Sequence, residues 1–211
     1  MSLKKEFLKQ KWAGPIKLRS LVINLVSFIF GVLVTLFSIY FPVEIQVNAN
    51  LLAVRAEILD NQDKMQNIIA PEVVAIVINP QNSNDIANNL GIANTMKKLS
   101  TTNFNQLTIA YYQLPSILQS KTLKYLLNEI YGLYHQYDLL NNNIETLNTI
   151  ATATSLGAQG EGYLNFFKNI QTEAVVSNAN AYAASTDISN DIVKYTESGW
   201  PSIFKGIISR N

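Results

Sequence analysis

The longest hydrophobic stretch of the chain runs from Ser20 to Val43, 24 residues without a charged side chain, with Arg19 before it and Glu44 after it. Between Ser20 and Phe41, fifteen residues are Leu, Ile, Val or Phe. As a helix, the stretch would be about 36 Å long, more than the roughly 30 Å of a bilayer's hydrocarbon core. The pattern therefore predicts a membrane-spanning helix over residues 20–43.

Small or polar side chains recur within this stretch at spacings of 4, 3, 4, 4 and 3. On a helix they fall within an arc of about 80°. Another helix can approach closely along small residues and hydrogen-bond to Asn or Ser, whereas lipid tails offer no hydrogen-bond partner. We therefore predict a helix-packing face, called here the small-residue stripe. The alternative is a lone helix whose hydroxyls bond to their own i−4 carbonyls. The stripe consists of Ser20, Asn24, Ser27, Gly31, Thr35 and Ser38.

The charged residues are divided unevenly between the two sides of the hydrophobic stretch. Residues 44–211 carry 10 basic and 14 acidic side chains, whereas residues 1–19 carry six basic side chains and one acidic side chain. Because Lys and Arg are retained in cytoplasmic segments, we expect a cytoplasmic N-terminus and an extracytoplasmic C-terminal part. The tail either lies on an anionic membrane surface or is solvated and only sets the topology. The residues expected at the membrane interface are Lys4, Lys5, Lys9, Lys11, Trp12, Lys17 and Arg19.

A cleavable signal peptide is the competing interpretation, because Val47-Asn48-Ala49 resembles a cleavage site. Signal peptides have about 7 to 15 apolar residues, fewer than this stretch, so we expect an uncleaved anchor. The chain has no cysteine, which excludes disulfides and thiolate chemistry. Its 24 Asn residues include no Asn-x-Ser/Thr glycosylation site, which favours a prokaryotic envelope protein.

The pattern after the anchor is helical, and we predict an all-α fold with three parts: the tail 1–19, the anchor 20–43 and a helical bundle 44–211. A first bundle helix is expected over 44–70 and is expected to end at Pro71. Residues 71–80 are rich in β-branched side chains, so a helical or extended connection and a short strand are both considered. The apolar stripe of the first bundle helix is Leu51, Val54, Ile58, Met65 and Ile68.

The clearest helix of the bundle is predicted from Lys121 to about Ala151. Its apolar side chains recur at 4, 3, 4, 3, 4 and 3, the pattern of bundle or coiled-coil packing. A loop is expected over 151–162, then a helix from Tyr163 and a separate short helix over 187–195. The apolar tail from Gly199 is expected to dock on the bundle, a partner or the bilayer. The predicted bundle seam consists of Leu126, Ile130, Leu133, Tyr137, Leu140, Ile144 and Leu147.

Candidate chemistry along the chain is sparse. The only histidine, His135, has no acidic companion at ligand spacing, and the pairs Glu57/Asp60 and Asp187/Asp191 have the spacing of ordinary solvated helix residues. We therefore expect no catalytic, metal or cofactor site. Five tyrosines either line a ligand cavity between helices or pack in the core. These are Tyr111, Tyr112, Tyr131, Tyr134 and Tyr137.

These patterns favour a non-catalytic, single-pass membrane protein. We expect it to act as a structural or accessory subunit of a membrane complex, with other membrane subunits, a second copy of itself and the lipid bilayer as partners. Nucleic acid is not an expected partner. The alternative is an extracytoplasmic sensory or ligand-binding bundle, and an enzyme is the least favoured class.

Overall fold

A computed structural model of the chain is all-α, as the hydrophobic pattern predicts, and the described residues contain no strand. The structure describes residues 3–96, 98–114, 116, 119–155 and 160–197, with the side chains of 3–18, 93, 94 and 155 excepted. The helices are α1 (Leu3–Lys64), a π-helical turn (Met65–Ile69), α2 (Ala70–Ala75), α3 (Ser83–Thr95), α4 (Phe104–Gln113), α5 (Lys121–Ser155) and α6 (Glu161–Glu197).

The chain divides into two compact units, Met1–Ile45 and Gln46–Asn211. Helix α1 supplies the described residues of the first unit and continues into the second. Within Arg19–Ala75 the described chain has one helix segment that is long and apolar enough to cross a membrane, and its most apolar window has no buried residue. A signal sequence near the N-terminus would satisfy the same criterion.

Three prolines lie inside helical segments where the sequence suggested breaks. Adjacent glycine and proline, as in Gly14-Pro15, commonly separate helices, yet α1 passes through this pair and through Pro42. Pro71 does not end the helical path, because it occupies the first turn of α2, where its missing N–H is not needed. Pro15 and Pro42 each remove one backbone hydrogen bond from α1, and the intact turns on either side keep that helix continuous.

The π-helical turn moves the apolar stripe by one residue. Leu51, Val54, Ile58 and Met65 are fully buried, but the stripe continues at Ile69 and not at the predicted Ile68. In this turn the N–H of Ala70 donates to the carbonyl of Met65, five residues back. The wider turn therefore places Ile69 on the buried face. Beyond α2 the chain is extended at Ile76, so residues 71–80 form a helical and then extended connection.

The core of the second unit is centred on the packing of α5 with α6. All seven predicted seam residues of α5 are buried. The most exposed of them, Leu126, is 3% exposed. Small residues on the buried face of α6, including Ala174, Ala181 and Ser185, let its backbone approach the large side chains of α5. The helices run antiparallel, because the Tyr163 hydroxyl near the start of α6 donates to the Ile150 carbonyl near the end of α5, at 2.7 Å.

The last part of the chain differs from the prediction in two ways. Helix α5 extends to Ser155, so the predicted loop over 151–162 is shorter, and α6 begins at Glu161. The separate helix predicted over 187–195 is the end of α6, which is continuous to Glu197. The apolar tail from Gly199 lies outside the described residues.

Candidate interaction surfaces

The small-residue stripe is exposed along the whole of its length in the isolated chain. A Cβ atom placed on Gly31 would have open space around it. The Thr35 hydroxyl donates to the Gly31 carbonyl at 2.8 Å, and the Ser38 hydroxyl donates to the Val34 carbonyl at 2.9 Å. These are the i−4 bonds of the lone-helix alternative, and they leave both hydroxyl oxygens able to accept a bond from a neighbouring helix.

The opposite side of the same helix segment is also open. Val26, Ile29 and Leu33 on that side are 59%, 49% and 49% exposed. Such a continuous apolar surface is not stable in water and requires a lipid or protein environment. Arg19 is exposed at its N-terminal edge. Trp12 and the lysines of the tail belong to helix α1, and the structure does not describe their side chains.

In the second unit, Asn side chains hold three extended residues by pairs of hydrogen bonds. Asn61 accepts from the Ser100 N–H at 2.9 Å and donates to the Ser100 carbonyl at 2.8 Å. Asn141 binds the N–H and carbonyl of Leu99 in the same way, and Asn89 binds those of Val77. An Asn amide thus replaces the partner strand that an extended backbone normally requires.

Glu57 binds the same loop from the side of α1. Its carboxylate is buried, with 6% of the residue exposed, and accepts bonds from the backbone N–H groups of Thr102 and Asn103 at 2.8 and 3.0 Å. The Ser100 hydroxyl also donates to it, and the Tyr134 hydroxyl donates at 2.6 Å. Five donors therefore surround one carboxylate when the Thr102 hydroxyl, at 3.1 Å, is included.

These bonds determine the chemistry of Glu57. Burial by itself raises the pKa of the carboxyl group, but the hydrogen bonds from Ser100, Tyr134, Thr102 and Asn103 outweigh burial and lower the pKa from 4.5 to about 2. Burial and the nearby carboxylate raise the pKa of Tyr134, which therefore remains a hydrogen-bond donor. A carboxylate with so low a pKa is a poor general base at neutral pH, so we interpret this cluster as structural.

The expectation that Glu57 and Asp60 are an ordinary solvated pair is wrong for Glu57. Asp60 is exposed and pairs with Lys64 at 2.6 Å, whereas Glu57 points into the bundle. The sequence did hold a signal for this site. The apolar stripe of α1 skips one turn between Ile58 and Met65, and Asn61 occupies the skipped position. A polar residue inside an apolar stripe indicates a buried hydrogen-bond partner.

All five tyrosines singled out in the sequence lie on α4 or α5. Tyr134 and Tyr137 are buried, with ring centroids 5.7 Å apart, and belong to the core. Tyr111, Tyr112 and Tyr131 line a surface groove of about 360 Å³. The groove is called here the aromatic groove. Its lining residues are Phe104, Thr108, Tyr111, Tyr112, Gln119, Lys124, Leu127, Asn128 and Tyr131.

The remaining candidate groups do not form a reactive site in the described part of the chain. His135 is exposed on α5. Among the described residues, no three His, Asp or Glu side chains come close enough together to hold a metal ion. Asp191 pairs with Lys194 at 2.7 Å on the surface of α6.

Comparison with known proteins adds no assignment to this geometry. The chain matches no protein-family model, no curated protein and no solved structure. The surfaces described above are therefore the basis for a functional interpretation.

Proposed function

We propose that this chain is a non-catalytic, single-pass membrane protein that acts as a structural or accessory subunit of a membrane protein complex. Residues 20–43 cross the bilayer once, residues 1–19 remain in the cytoplasm, and the helical domain lies outside, in a prokaryotic envelope. The partner is another membrane subunit or a second copy of the chain.

The observation that supports this proposal is the open small-residue stripe on an otherwise apolar helix. The described part of the chain provides no hydrogen-bond partner for the Asn24 side chain. An amide within the bilayer is stabilised when it bonds to another helix, and the space beside Gly31 permits close approach of that helix. The stripe thus combines a polar group that needs a partner with a surface shaped to receive one.

The proposal is tested by co-purification from membranes in a mild detergent. Gly31→Leu fills the space on the stripe and should reduce the recovery of the partner or second copy, while the variant still inserts into the membrane. Leu33→Phe is the matched control, because it adds bulk about 200° around the helix from Gly31 and should leave recovery unchanged. Equal recovery of companions with Gly31→Leu and wild type would contradict the proposal, as would a strictly monomeric wild type without companions.

The aromatic groove favours a second candidate function, binding of a small ligand by the helical domain. Its exposed rings, including Tyr112 at 73% and Tyr131 at 64%, and the ammonium group of Lys124 suit a planar molecule with an anionic group. Such a ligand at 100 times its dissociation constant should stabilise the protein by about 2.7 kcal/mol. A thermal-shift screen tests this candidate: a hit should lose its effect in Tyr131→Ala, and a hit unaffected by that change binds elsewhere.

A further inference from the structure

One end of the helical domain is defined by its covalent connection to the apolar helix. The second unit begins at Gln46, within α1. Helix α4 runs antiparallel to this part of α1, because the Asn103 N–H binds Glu57 and the Gln106 carbonyl accepts from Asn50 at 3.1 Å. Tyr112 lies six residues further along α4, or about 9 Å. It therefore lies at the level of Gln46.

Helix α5 begins near the same level, and α6 runs toward it. Tyr134 of α5 binds Glu57, and Lys121 at the start of α5 lies about 20 Å before it, close to the 16 Å or so that separates Glu57 from Gln46 along α1. In α6, Thr186 accepts a bond from Gln62 at 2.9 Å, and the helix then runs in the direction of Gln46. We call this region the chain-entry end. It comprises Gln46, Ile109, Tyr112, Lys121, Lys124 and Tyr125.

The chain-entry end carries side chains of the kind that occupy a membrane interface. Ile109, Tyr112 and Tyr125 are 60%, 73% and 63% exposed, and Lys121 and Lys124 are exposed beside them. Tyrosine is favoured at lipid headgroups because it has an apolar ring and a polar hydroxyl, and lysine binds anionic headgroups through its ammonium group. Glu129 and Asp191 lie beside Tyr125, so the attraction to anionic headgroups is assigned to the side of this end that carries Lys121 and Lys124.

Two features of the chain place a lipid surface near this end. If residues 20–43 cross the bilayer, only two residues, Glu44 and Ile45, separate Val43 from Gln46, a distance of at most about 10 Å. The C-terminal segment also follows α6 from this end, after Glu197. That segment contains Trp200, Lys205 and Arg210 and no acidic residue.

We propose that the chain-entry end of the helical domain is a second membrane contact, which rests on the anionic phospholipid headgroups of the leaflet that α1 enters. This inference depends on the proposed single-pass anchor. The contact would fix which faces of the domain are directed sideways toward a partner. Basic side chains would supply the attraction, and Ile109, Tyr112 and Tyr125 would enter the headgroup layer.

The test uses the full chain, which has no native cysteine, in liposomes of phosphatidylcholine with phosphatidylglycerol. A nitroxide is attached to single cysteines in Tyr112→Cys and Tyr125→Cys, and its collisions with oxygen and with a water-soluble nickel complex are compared. Oxygen concentrates in lipid and the nickel complex in water, so both labels should show a higher oxygen-to-nickel collision ratio than a label in Val74→Cys. Val74 is the matched control, because it is 69% exposed on α2, away from Gln46.

Charge is tested separately from depth. Removing one lysine, in Lys121→Gln or Lys124→Gln, should lower the equilibrium ratio of contacting to non-contacting domains about fivefold in anionic liposomes. Lys168→Gln, near the start of α6 and away from the chain-entry end, should leave the ratio unchanged. In liposomes of phosphatidylcholine alone, Lys121→Gln, Lys124→Gln and Lys168→Gln should all have the same ratio of contacting to non-contacting domains.

A label in Phe30→Cys separates the two proposals. One outcome is that the label in Phe30→Cys shows the high oxygen-to-nickel collision ratio of lipid while the labels at 112 and 125 show the same ratio as Val74→Cys. In that case the second contact is refuted and the anchor is retained. If Phe30→Cys reports water, the anchor is refuted, and this inference with it. A contact that survives the loss of both lysines without change would also contradict the role assigned to anionic headgroups.

Discussion

At residue 57, a carboxylate on α1 holds a loop that lies 43 to 46 residues further along the chain. Its environment is unusual because it is buried without a cation among its hydrogen-bond partners in the described residues. Backbone N–H groups and hydroxyls provide the compensation that an ion pair would otherwise give. The charge of Glu57 therefore stabilises the connection between α3 and α4.

We expect Glu57→Gln to lower the free energy of unfolding by about 2–3 kcal/mol, because the amide nitrogen cannot accept the bonds that the carboxylate oxygens accept. The measurement is urea unfolding in detergent, followed by circular dichroism. Asp60→Asn is the matched control, since Asp60 is exposed and pairs only with Lys64 on the same helix. It should change the free energy by no more than about 0.5 kcal/mol. Equal effects of the two changes would refute the structural role of Glu57.

The low pKa of Glu57 predicts a pH dependence of stability. Because the pKa is lowered from 4.5 to about 2, its contribution is fully present above about pH 4.5 and is lost as the pH falls toward 2. We expect this contribution to be about 2 kcal/mol once solvent screening is allowed for. The difference in unfolding free energy between wild type and Glu57→Gln should therefore narrow between pH 5 and pH 3. A constant difference over that range would contradict the assigned pKa.

At the scale of elements, periodicity predicts helices best where one face is uniformly apolar. The seam of α5 has seven apolar residues at alternating spacings of 4 and 3. The predicted start of that helix, Lys121, agrees with the structure. Prediction was less successful where the buried face consists of small or polar residues, as in α6, since Ala, Ser and Asn give little periodic contrast. The π-helical turn over Met65–Ile69 is also not predicted, because it changes which carbonyl a backbone N–H binds and leaves the side-chain pattern of the sequence as in an α-helix.

Two adjacent leucines on α5 test the packing of the seam. Leu140 is fully buried and Leu139 is 47% exposed, although they are neighbours in sequence. Leu140→Ala should lower the free energy of unfolding by about 2–5 kcal/mol through lost burial and the cavity it leaves. Leu139→Ala should lower it by less than about 1 kcal/mol. Denaturant unfolding of the two variants gives the comparison, and similar losses would mean that the seam does not face the core.

At the scale of the whole molecule, fold class follows from local pattern, whereas the tertiary connections do not. The contact of Glu57 with the loop at 100–103 joins residues distant in sequence, so no periodicity within α1 identifies that partner. The small-residue stripe was visible in the sequence because its six members share one helix face. The partner that we propose for the stripe is a separate chain, so no pattern within this sequence corresponds to it.

The proposed topology is tested by labelling single cysteines on intact cells, which the absence of native cysteine makes possible. A membrane-impermeant maleimide should react with Val74→Cys without permeabilisation, because the helical domain is proposed to lie outside. Lys9→Cys should react only after the membrane is opened. The reverse pattern would mean that the orientation is inverted, and labelling of both sites in intact cells would contradict a single cytoplasmic N-terminus.

The central claim is that one helix crosses the bilayer and directs its small-residue stripe toward another protein. A photo-crosslinking scan in native membranes tests this most directly, with a benzophenone attached to single cysteines at successive positions over residues 20–38. The account predicts protein adducts that recur with helical period and are strongest at Ser27, Gly31 and Thr35, with lipid adducts at positions on the opposite face such as Leu33. Lipid adducts alone around the whole helix, or protein adducts without this period, would contradict it.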